Sequence, residues 1–256
     1  MRRQGRNGVT SPSRSIARRV SFGGRDVRYA SDRRHVLDWL SVTDCCDPVP
    51  YRRLFNSKEA RRRLRRYRKK GLDPLARSLV DYLSSREIDD TDVLEVGGGL
   101  GHLQLELFRS GAASSVNIEL SAGYEEAAAE LLDSEGLGDR VERRLGDFVA
   151  LQDRVSPADI VLLNRVVCCY PRMPEMMGAA LNKTKRFLAL SFPRERWFMK
   201  MAIAAGNAWW AMRSCDFRAY VHPVSEIESL ARDSGFEIAY RYRSLGWQAV
   251  VFERVP

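Results

Sequence analysis

The stretch E-V-G-G-G-L-G at residues 95–101 constrains this chain more than any other. It follows the short apolar run D-V-L-E-V and opens the helix-like segment L-G-H-L-Q-L-E-L-F-R-S-G. Glycine permits backbone conformations with positive φ and lets a ligand approach the main chain closely. A strand, a glycine-rich turn and a helix in this order predict a pocket for a nucleotide-like ligand at one end of an α/β sheet.

From Thr91 onward, strand patterns alternate with helix patterns. This alternation predicts a Rossmann-like, doubly wound α/β fold with a mostly parallel, seven-stranded sheet covered on both faces. A tight connection at Leu245-Gly246 joins the last two strands, so the last strand is expected to be antiparallel. The predicted strands before that hairpin are D-V-L-E-V, S-S-V-N-I-E-L, D-R-V-E-R-R-L-G-D, A-D-I-V-L-L-N-R-V-V and K-R-F-L-A-L-S-F.

The charge is unevenly distributed along the chain. Residues 1–77 hold 22 Lys/Arg and 7 Asp/Glu, whereas the remaining 179 residues hold 20 and 26. We expect a basic, disordered arm at 1–35, with a targeting segment as the alternative interpretation. A helical lid at 36–90 and a core at 91–256 follow, and the core carries a helical insertion at about 193–220.

Local signals place several helix boundaries. A basic helix from about Lys58 to Lys70 is expected to stop at Gly71, and Asp73-Pro74 opens a second helix. The insertion is predicted to form one long helix or two helices bent near Gly206. Ser225 and Glu228 have the spacing of a capping box at the start of the last helix.

Cysteine usage argues against a disulfide framework. The five cysteines are Cys45-Cys46, Cys168-Cys169 and Cys215, and no CxxC pair is present. Neither a zinc ribbon nor another metal site is therefore predicted, and a reducing cytoplasm is the expected location. No apolar run reaches membrane-spanning length, and the sequence does not indicate an oligomeric state.

The glycine turn has three interpretations, each with a different class of ligand. A phosphate-binding P-loop needs a second glycine and a Lys-Ser/Thr pair, but His102 occupies that glycine position. A dinucleotide fold needs a third glycine, and His102 stands there too. S-adenosylmethionine (AdoMet) has no phosphate, and its sulfonium and ammonium charges suit a carboxylate such as Glu95 ahead of the first glycine.

On these residues the chain resembles the class I AdoMet-dependent methyltransferases, whose motif is E/D-x-G-x-G-x-G. Glu119 ends the second strand 22 residues after Gly97, L-G-D-F follows the third strand, and L-N-R-V-V-C-C-Y-P follows the fourth. In the family, an acid at the second position accepts hydrogen bonds from the ribose hydroxyls, and one at the third meets the adenine. The resemblance implies AdoMet as cofactor, bound by Glu95, Gly97, Gly98, Gly99, Gly101, Glu119, Leu120, Asp147, Phe148 and Asn164.

The sequence excludes some methyl acceptors. The [DNS]-P-P-[YFW] motif of amino-directed nucleic-acid enzymes and the Pro-Cys of base C5 enzymes are both absent after the fourth strand. The segments F-R-A-Y-V-H-P-V-S-E-I-E-S-L-A-R-D-S-G-F-E-I and R-R-Y-R-K-K-G-L-D resemble the magnesium-protoporphyrin O-methyltransferases. This second resemblance implies a helical lid and inserted helices, and a weaker likeness is to bacterial thiol S-methyltransferases.

Candidate residues on the acceptor side each have a structural alternative. His222 is a candidate general base or a structural histidine, and Tyr170 either orients the acceptor or belongs to the core. His102 and the pair Cys168-Cys169 are weaker catalytic candidates, and Tyr67 is a candidate to close over the cofactor. The aromatic residues Trp197, Phe198, Trp209 and Trp210 either pack on the sheet edge or form an apolar lid.

We therefore predict an enzyme that methylates oxygen, sulfur or nitrogen of a small, flat or hydrophobic metabolite by in-line displacement. The alternative is an RNA-modifying methyltransferase that grips phosphates with its Arg-rich N-terminal segment. Nucleic acid is thus a less favoured partner than a small molecule. A third class, a binding module without activity, is opposed by the intact glycines and acids.

Overall fold

The computed structural model of the protein describes residues 51 and 53–255. The predicted arm at 1–35, the first part of the predicted lid at 36–50, and the pair Cys45-Cys46 lie outside the described residues. The division of the chain into arm, lid and core therefore stays a prediction.

Seven strands form one sheet: β1 (Asp92–Val96), β2 (Ser114–Glu119), β3 (Val141–Leu145), β4 (Ala158–Asn164), β5 (Thr184–Pro193), β6 (Phe236–Arg243) and β7 (Trp247–Arg254). Their order is β3-β2-β1-β4-β5-β7-β6. β1 to β5 pair in parallel, whereas β7 is antiparallel to both of its neighbours. The predicted Rossmann-like fold, its seven strands and its antiparallel last strand are confirmed.

Eight α-helices are assigned within the described residues: α1 (Ser57–Lys70), α2 (Pro74–Ser84), α3 (His102–Arg109), α4 (Glu125–Ser134), α5 (Phe148–Leu151), α6 (Met173–Lys183), α7 (Trp197–Met212) and α8 (Val224–Asp233). Side chains alternate between the two faces of a strand, so the sheet supports two apolar clusters. One cluster packs α1 to α4 against one face, and the other packs α5, α6 and α8 against the opposite face. Within the described residues, every helix is too short or too polar to pass through a bilayer.

Helix α1 begins within one residue of the predicted start and ends at the predicted Lys70, and α2 begins at the predicted Pro74. Asn56 caps α1 by accepting a hydrogen bond from the backbone N–H of Glu59, and Gly71 ends the helix with φ of +66°. Asp73 caps α2 by accepting from the N–H groups of Leu75 and Ala76. Both helices contribute buried residues to the first cluster, so they are packed onto the core.

The structure decides between the two interpretations of the insertion and corrects one local prediction. The insertion contains a single continuous helix, α7, and Gly206 lies inside it without a break. The predicted capping box does not form, because α8 begins at Val224 after Pro223 and places Ser225 inside the first turn. Glu228 instead accepts a hydrogen bond from Arg241 on β6 at 2.7 Å.

Candidate active site

A cavity of about 700 Å³ opens at the carboxyl ends of the parallel strands. It lies where the strand order reverses between β1 and β4, which is the usual ligand position in open α/β sheets. Its wall combines the glycine turn after β1, the loops after β2, β3 and β4, helix α1, and one side of α7.

The glycine turn forms the floor of this cavity. Gly97 and Gly99 line it and have φ of +61° and +56°, a region that residues with a side chain rarely adopt. A methyl group on Gly97 would lie 2.7 Å from the side chain of Val166, and one on Gly99 would lie 3.1 Å from the ring of Tyr124. Both positions therefore need glycine for conformation and for space.

A buried polar network supports the turn from below. Asn117 donates a hydrogen bond to Glu95 at 3.3 Å and another to Gln104 at 3.3 Å, and Ser115 donates to Gln104 at 2.7 Å. A methyl group on Gly98 would lie 2.3 Å from the amide nitrogen of Asn117 and 2.7 Å from the carboxyl carbon of Glu95. The network leaves no room for a side chain at that position.

Glu95, Gly98 and Gly101, which are also predicted to bind the cofactor, are not among the residues that line the cavity. Glu95 is buried, and Gly98 and Gly101 face the buried side chains of Asn117 and Gln104. Burial raises the pKa of the Glu95 carboxyl to about 8, and hydrogen bonds from Gln104 and Asn117 only partly oppose this shift. Glu95 therefore supports the turn from its buried side.

Glu119 lies at the end of β2 and lines the cavity. One carboxylate oxygen accepts a hydrogen bond from the N–H of Gly99 at 2.8 Å, and the other accepts from the N–H of Ser121 at 2.8 Å. Burial raises the pKa of this carboxyl, and the two backbone N–H groups oppose the rise. Each oxygen has a further lone pair, so the group retains acceptor positions for two hydroxyls.

The remaining predicted cofactor residues line the same cavity. Asp147 caps α5 by accepting a hydrogen bond from the N–H of Val149 at 2.9 Å, and Phe148 is buried beside it. Asn164 ends β4, and its side-chain oxygen accepts a hydrogen bond from Ser191 at 2.6 Å. The structure thus brings together Gly97, Gly99, Glu119, Leu120, Asp147, Phe148 and Asn164.

The loop after β4 begins with an unusual backbone conformation. Arg165 has φ of +60°, and its N–H donates to the backbone oxygen and the hydroxyl of Ser191 at 3.2 and 3.0 Å. Its guanidinium lies 3.2 Å from the carboxylate of Asp73 and 5.2 Å from the centre of the Trp247 ring. Arg165 thereby ties the loop to the start of α2 and the start of β7.

The paired cysteines also line the cavity. The sulfurs of Cys168 and Cys169 lie 3.8 Å apart, and each lies within hydrogen-bond distance of the Arg165 carbonyl. The hydrogen bond with Cys169, followed by burial, raises the pKa of the Cys168 thiol. A neutral thiol is a poor nucleophile, so the geometry favours packing over chemistry for Cys168.

The two candidate catalytic residues occupy different places. Tyr170 is buried and lines the cavity, whereas His222 does not line it. The Nε2 of His222 lies 3.0 Å from the carbonyl oxygen of Tyr170, and a carbonyl only accepts, so Nε2 carries the proton. Burial lowers the pKa of His222, and its ring stacks on Tyr220 at 5.5 Å. This geometry favours the structural interpretation of His222, as a support for the loop after β4.

Tyr67 and His102 meet at the edge of the cavity. Their ring centres lie 5.5 Å apart in an edge-to-face arrangement, and the Tyr67 hydroxyl donates to Glu106 at 2.7 Å. Burial lowers the pKa of His102 to about 4, so its imidazole is neutral at physiological pH. Both side chains line the cavity, which keeps them as candidates for contact with a bound ligand.

The outer wall of the cavity is aromatic and cationic. Tyr51, Phe55, Phe217 and Trp210 form a chain of ring contacts with centre distances between 4.8 and 6.1 Å. The Tyr51 hydroxyl donates to the Cys169 carbonyl. Of the aromatic residues for which an apolar lid is one interpretation, Trp210 lines the cavity. No local pattern indicates Tyr51, Phe55 and Phe217, because they come from distant segments. The guanidinium-bearing residues on the wall are Arg62, Arg63, Arg66 and Arg165.

Comparisons with known proteins agree with this geometry. The family model described as "Methyltransferase domain" matches residues 62–240. No curated protein sequence matches the chain significantly.

Several solved structures share the fold. A magnesium protoporphyrin IX methyltransferase from Synechocystis PCC 6803 is 20% identical, with a TM-score of 0.63, over 81% of this chain and 99% of the other. A putative sarcosine dimethylglycine methyltransferase from Galdieria sulphuraria is 13% identical, with a TM-score of 0.57, over 70% and 84%. A putative RNA methyltransferase from Pyrococcus horikoshii is 15% identical, with a TM-score of 0.52, over 71% and 84%. At these identities the likeness concerns the fold.

Proposed function

The chain belongs to the methyltransferase domain family, and we propose that it methylates a small, flat acceptor that carries an anionic group. It is a methyltransferase enzyme with AdoMet as cofactor. The observation that carries the proposal is that one cavity is lined by the glycine turn and Glu119 on one side and by aromatic residues and arginines on the other.

The residues on the inner wall suit AdoMet. Gly97 and Gly99 offer bare backbone, on which any side chain would clash with Val166 or Tyr124. Glu119 retains acceptor positions for the two ribose hydroxyls. In this proposal Asp147 and Phe148 hold the adenine, and Leu120 and Asn164 complete the wall. Glu95, Gly98 and Gly101 shape the turn without touching the cofactor.

The chain contributes mainly by positioning the reactants. When bound, AdoMet supplies a methyl group on a positively charged sulfur. Alignment of two reactants in one site can account for a large part of the rate enhancement. We assign the orientation of the acceptor to Tyr170 and the aromatic wall, and no general base is required when the acceptor atom carries no proton.

The arginines define the expected acceptor. Arg62 and Arg63 pair with Glu59 at 2.7 and 2.9 Å, and Arg165 pairs with Asp73. Over residues 53–255, Arg66 has no acidic partner. Arg66 is exposed and lines the same cavity as the aromatic residues, so its guanidinium suits a carboxylate or similar anion on a flat, apolar body.

The ion pairs of helix α1 do not favour the alternative of an RNA-modifying enzyme. Arg61 and Arg68 of α1 pair with Glu126 and Glu130 of α4 at 2.7 and 2.5 Å. These ion pairs, together with those to Glu59, direct much of the basic face of α1 toward the protein's own acids. A phosphate-binding helix would instead leave such side chains unpaired.

A labelled methyl group tests the proposal. We would incubate the full chain with methyl-labelled AdoMet and pairs of flat aromatic acceptors that differ only in a carboxylate. The carboxylate-bearing member is expected to be labelled, and Arg66→Gln is expected to raise its KM by about tenfold while leaving AdoMet affinity unchanged. Arg65→Gln is the matched control, because Arg65 is a neighbour on α1 that does not line the cavity. Equal labelling of both members, or labelling of RNA alone, would contradict the proposal.

A further inference from the structure

Helix α7 presents a large apolar surface to solvent. None of its sixteen residues is buried. The exposed fractions are 73% for Trp197, 63% for Met201, 51% for Trp209 and 73% for Met212. Contiguous apolar surface of this kind is rare on soluble monomers and marks a site of interaction.

The opposite face of α7 is already occupied by the protein. Ile203 and Trp210 are half-buried and line the active-site cavity. Asn207 donates a hydrogen bond to the Ala219 carbonyl and accepts one from the Ala219 N–H, both at 2.9 Å. These contacts fix the rotation of the helix, so its outer face does not turn inward to complete the core.

The hairpin between β6 and β7 extends the apolar surface. A methyl group on Gly246 would lie 2.4 Å from the sulfur of Met199, so the turn is packed against α7. The N–H of Arg194 donates to the Gly246 carbonyl at 2.8 Å, which holds the turn there. Leu245, at the tip of this turn, is 80% exposed. We call the set Trp197, Met201, Trp209, Met212 and Leu245 the α7 patch.

Cationic residues surround the α7 patch. Arg196, Arg213 and Arg243 are exposed beside it, and the guanidinium of Arg213 lies 4.2 Å from the centre of the Trp209 ring. Lys200 is exposed on α7 and pairs with Glu195 at 2.9 Å. The acids nearby are Glu195 and Asp216, so positive charge is in excess.

We propose that the α7 patch docks on the surface of a lipid bilayer with anionic headgroups. Tryptophans at both ends of an apolar helix and a rim of Arg and Lys are typical of helices that lie in the membrane interface. A second copy of this chain suits the surface less well, because a twofold contact would bring the cationic rims together. Since Ile203 and Trp210 on the other side of α7 line the cavity, docking of the α7 patch would hold the active site close to the membrane surface.

A vesicle-binding experiment tests this inference, which extends the proposed function to the source of the acceptor. The full chain would be sedimented with phosphatidylcholine vesicles with and without phosphatidylserine. We expect binding that is stronger with phosphatidylserine and that falls by about tenfold or more in Trp197→Gln/Met201→Gln/Met212→Gln. Ile238→Gln removes an exposed apolar side chain from β6, outside the patch, and should bind as the unchanged protein does.

Three results would overturn the inference. The first is an unchanged protein that binds neither vesicle. The second is equal binding by the triple variant, which would assign the membrane contact to the Arg-rich residues 1–50. The third is a dimer in sedimentation velocity that the triple substitution dissociates, which would make the patch a protein interface. AdoMet binding, measured by calorimetry on each variant, reports separately on the proposed function, because no substituted residue lines the cavity.

Discussion

The inner and outer walls of the cavity are built in contrasting ways. The inner wall comes from consecutive strands and their turns, and a buried polar network around Glu95 and Asn117 fixes it from below. The outer wall gathers Tyr51, Trp210 and Phe217 from distant segments, and its arginines reach toward solvent. A rigid inner wall suits one invariant cofactor, whereas an assembled outer wall allows the acceptor to differ between relatives that share the fold.

The largest expected effect is on the inner wall at Gly98. Gly98→Ala would place a methyl group 2.3 Å from Asn117, inside a network that has no room to move. We expect a loss of about 1–3 kcal/mol in the free energy of unfolding and at least about a hundredfold weaker AdoMet binding. Thermal unfolding and calorimetry would measure the two effects.

Gly178→Ala is the matched control for Gly98→Ala. Gly178 lies inside α6, and a methyl group there would meet nothing within 4 Å. Alanine is favoured over glycine within a helix, so this variant should be equally or more stable and should bind AdoMet normally. Similar behaviour of the two variants would contradict the proposed rigidity of the turn.

Substitution of Glu119 is expected to have the next largest effect. Glu119→Ala removes the acceptor of two backbone N–H groups and the proposed acceptor of the ribose hydroxyls. Hydrogen bonds to a charged group contribute about 1.5–3 kcal/mol each, so AdoMet affinity should fall by about a hundredfold or more. Calorimetry on Glu142→Ala, an exposed residue of β3, provides the control; affinity retained in Glu119→Ala would remove Glu119 from the site.

The pH dependence of stability reports on the buried network. The folded chain keeps the Glu95 proton up to about pH 8, whereas an unfolded chain releases it near 4.5. The folded state therefore binds more protons between these values, and this carboxyl makes stability fall as pH rises through that window. The slope approaches about 1.4 kcal/mol per pH unit.

Glu95→Gln should remove that contribution, because glutamine has no proton to lose. The difference in melting temperature between Glu95→Gln and the unchanged protein is expected to grow in favour of the variant from pH 5 to pH 8. A constant difference across this range would mean that Glu95 is ionised in the folded protein.

The smallest expected effect concerns His222, behind the outer wall. His222→Ala removes a hydrogen bond to the Tyr170 carbonyl, which contributes about 1 kcal/mol, and leaves every cavity-lining side chain in place. Turnover should change by only a few-fold. A loss of several orders of magnitude with AdoMet still bound would restore His222 as a general base.

The contrast between the walls also explains which parts of the site could be predicted from the sequence. Gly97, Glu119 and Asp147 follow consecutive strands at regular spacing, so their convergence follows from the topology of a parallel sheet. The same spacing could not show that Glu95 lies beneath the turn. Successive side chains of a strand point to opposite faces of the sheet, and only packing decides which of them is covered. The roles of Arg165 and Phe217 left no local signal, since their partners lie far away in sequence.

One helix boundary was wrong, and one open alternative was decided, for local reasons. The Ser225–Glu228 spacing matches a capping box, but α8 begins two residues too early, with Pro223 as its N-cap, for Ser225 to cap it. A bend near Gly206 was one of two alternatives for the insertion, and the single glycine among Ala and Trp does not interrupt the hydrogen-bond ladder of the helix.

The measurement that tests the central claim most directly is calorimetric titration of the full chain with AdoMet. The account predicts one site of micromolar affinity, with binding weakened about a hundredfold or more by Glu119→Ala and unaffected by Glu142→Ala. Absence of AdoMet binding to the folded, unchanged protein would contradict it.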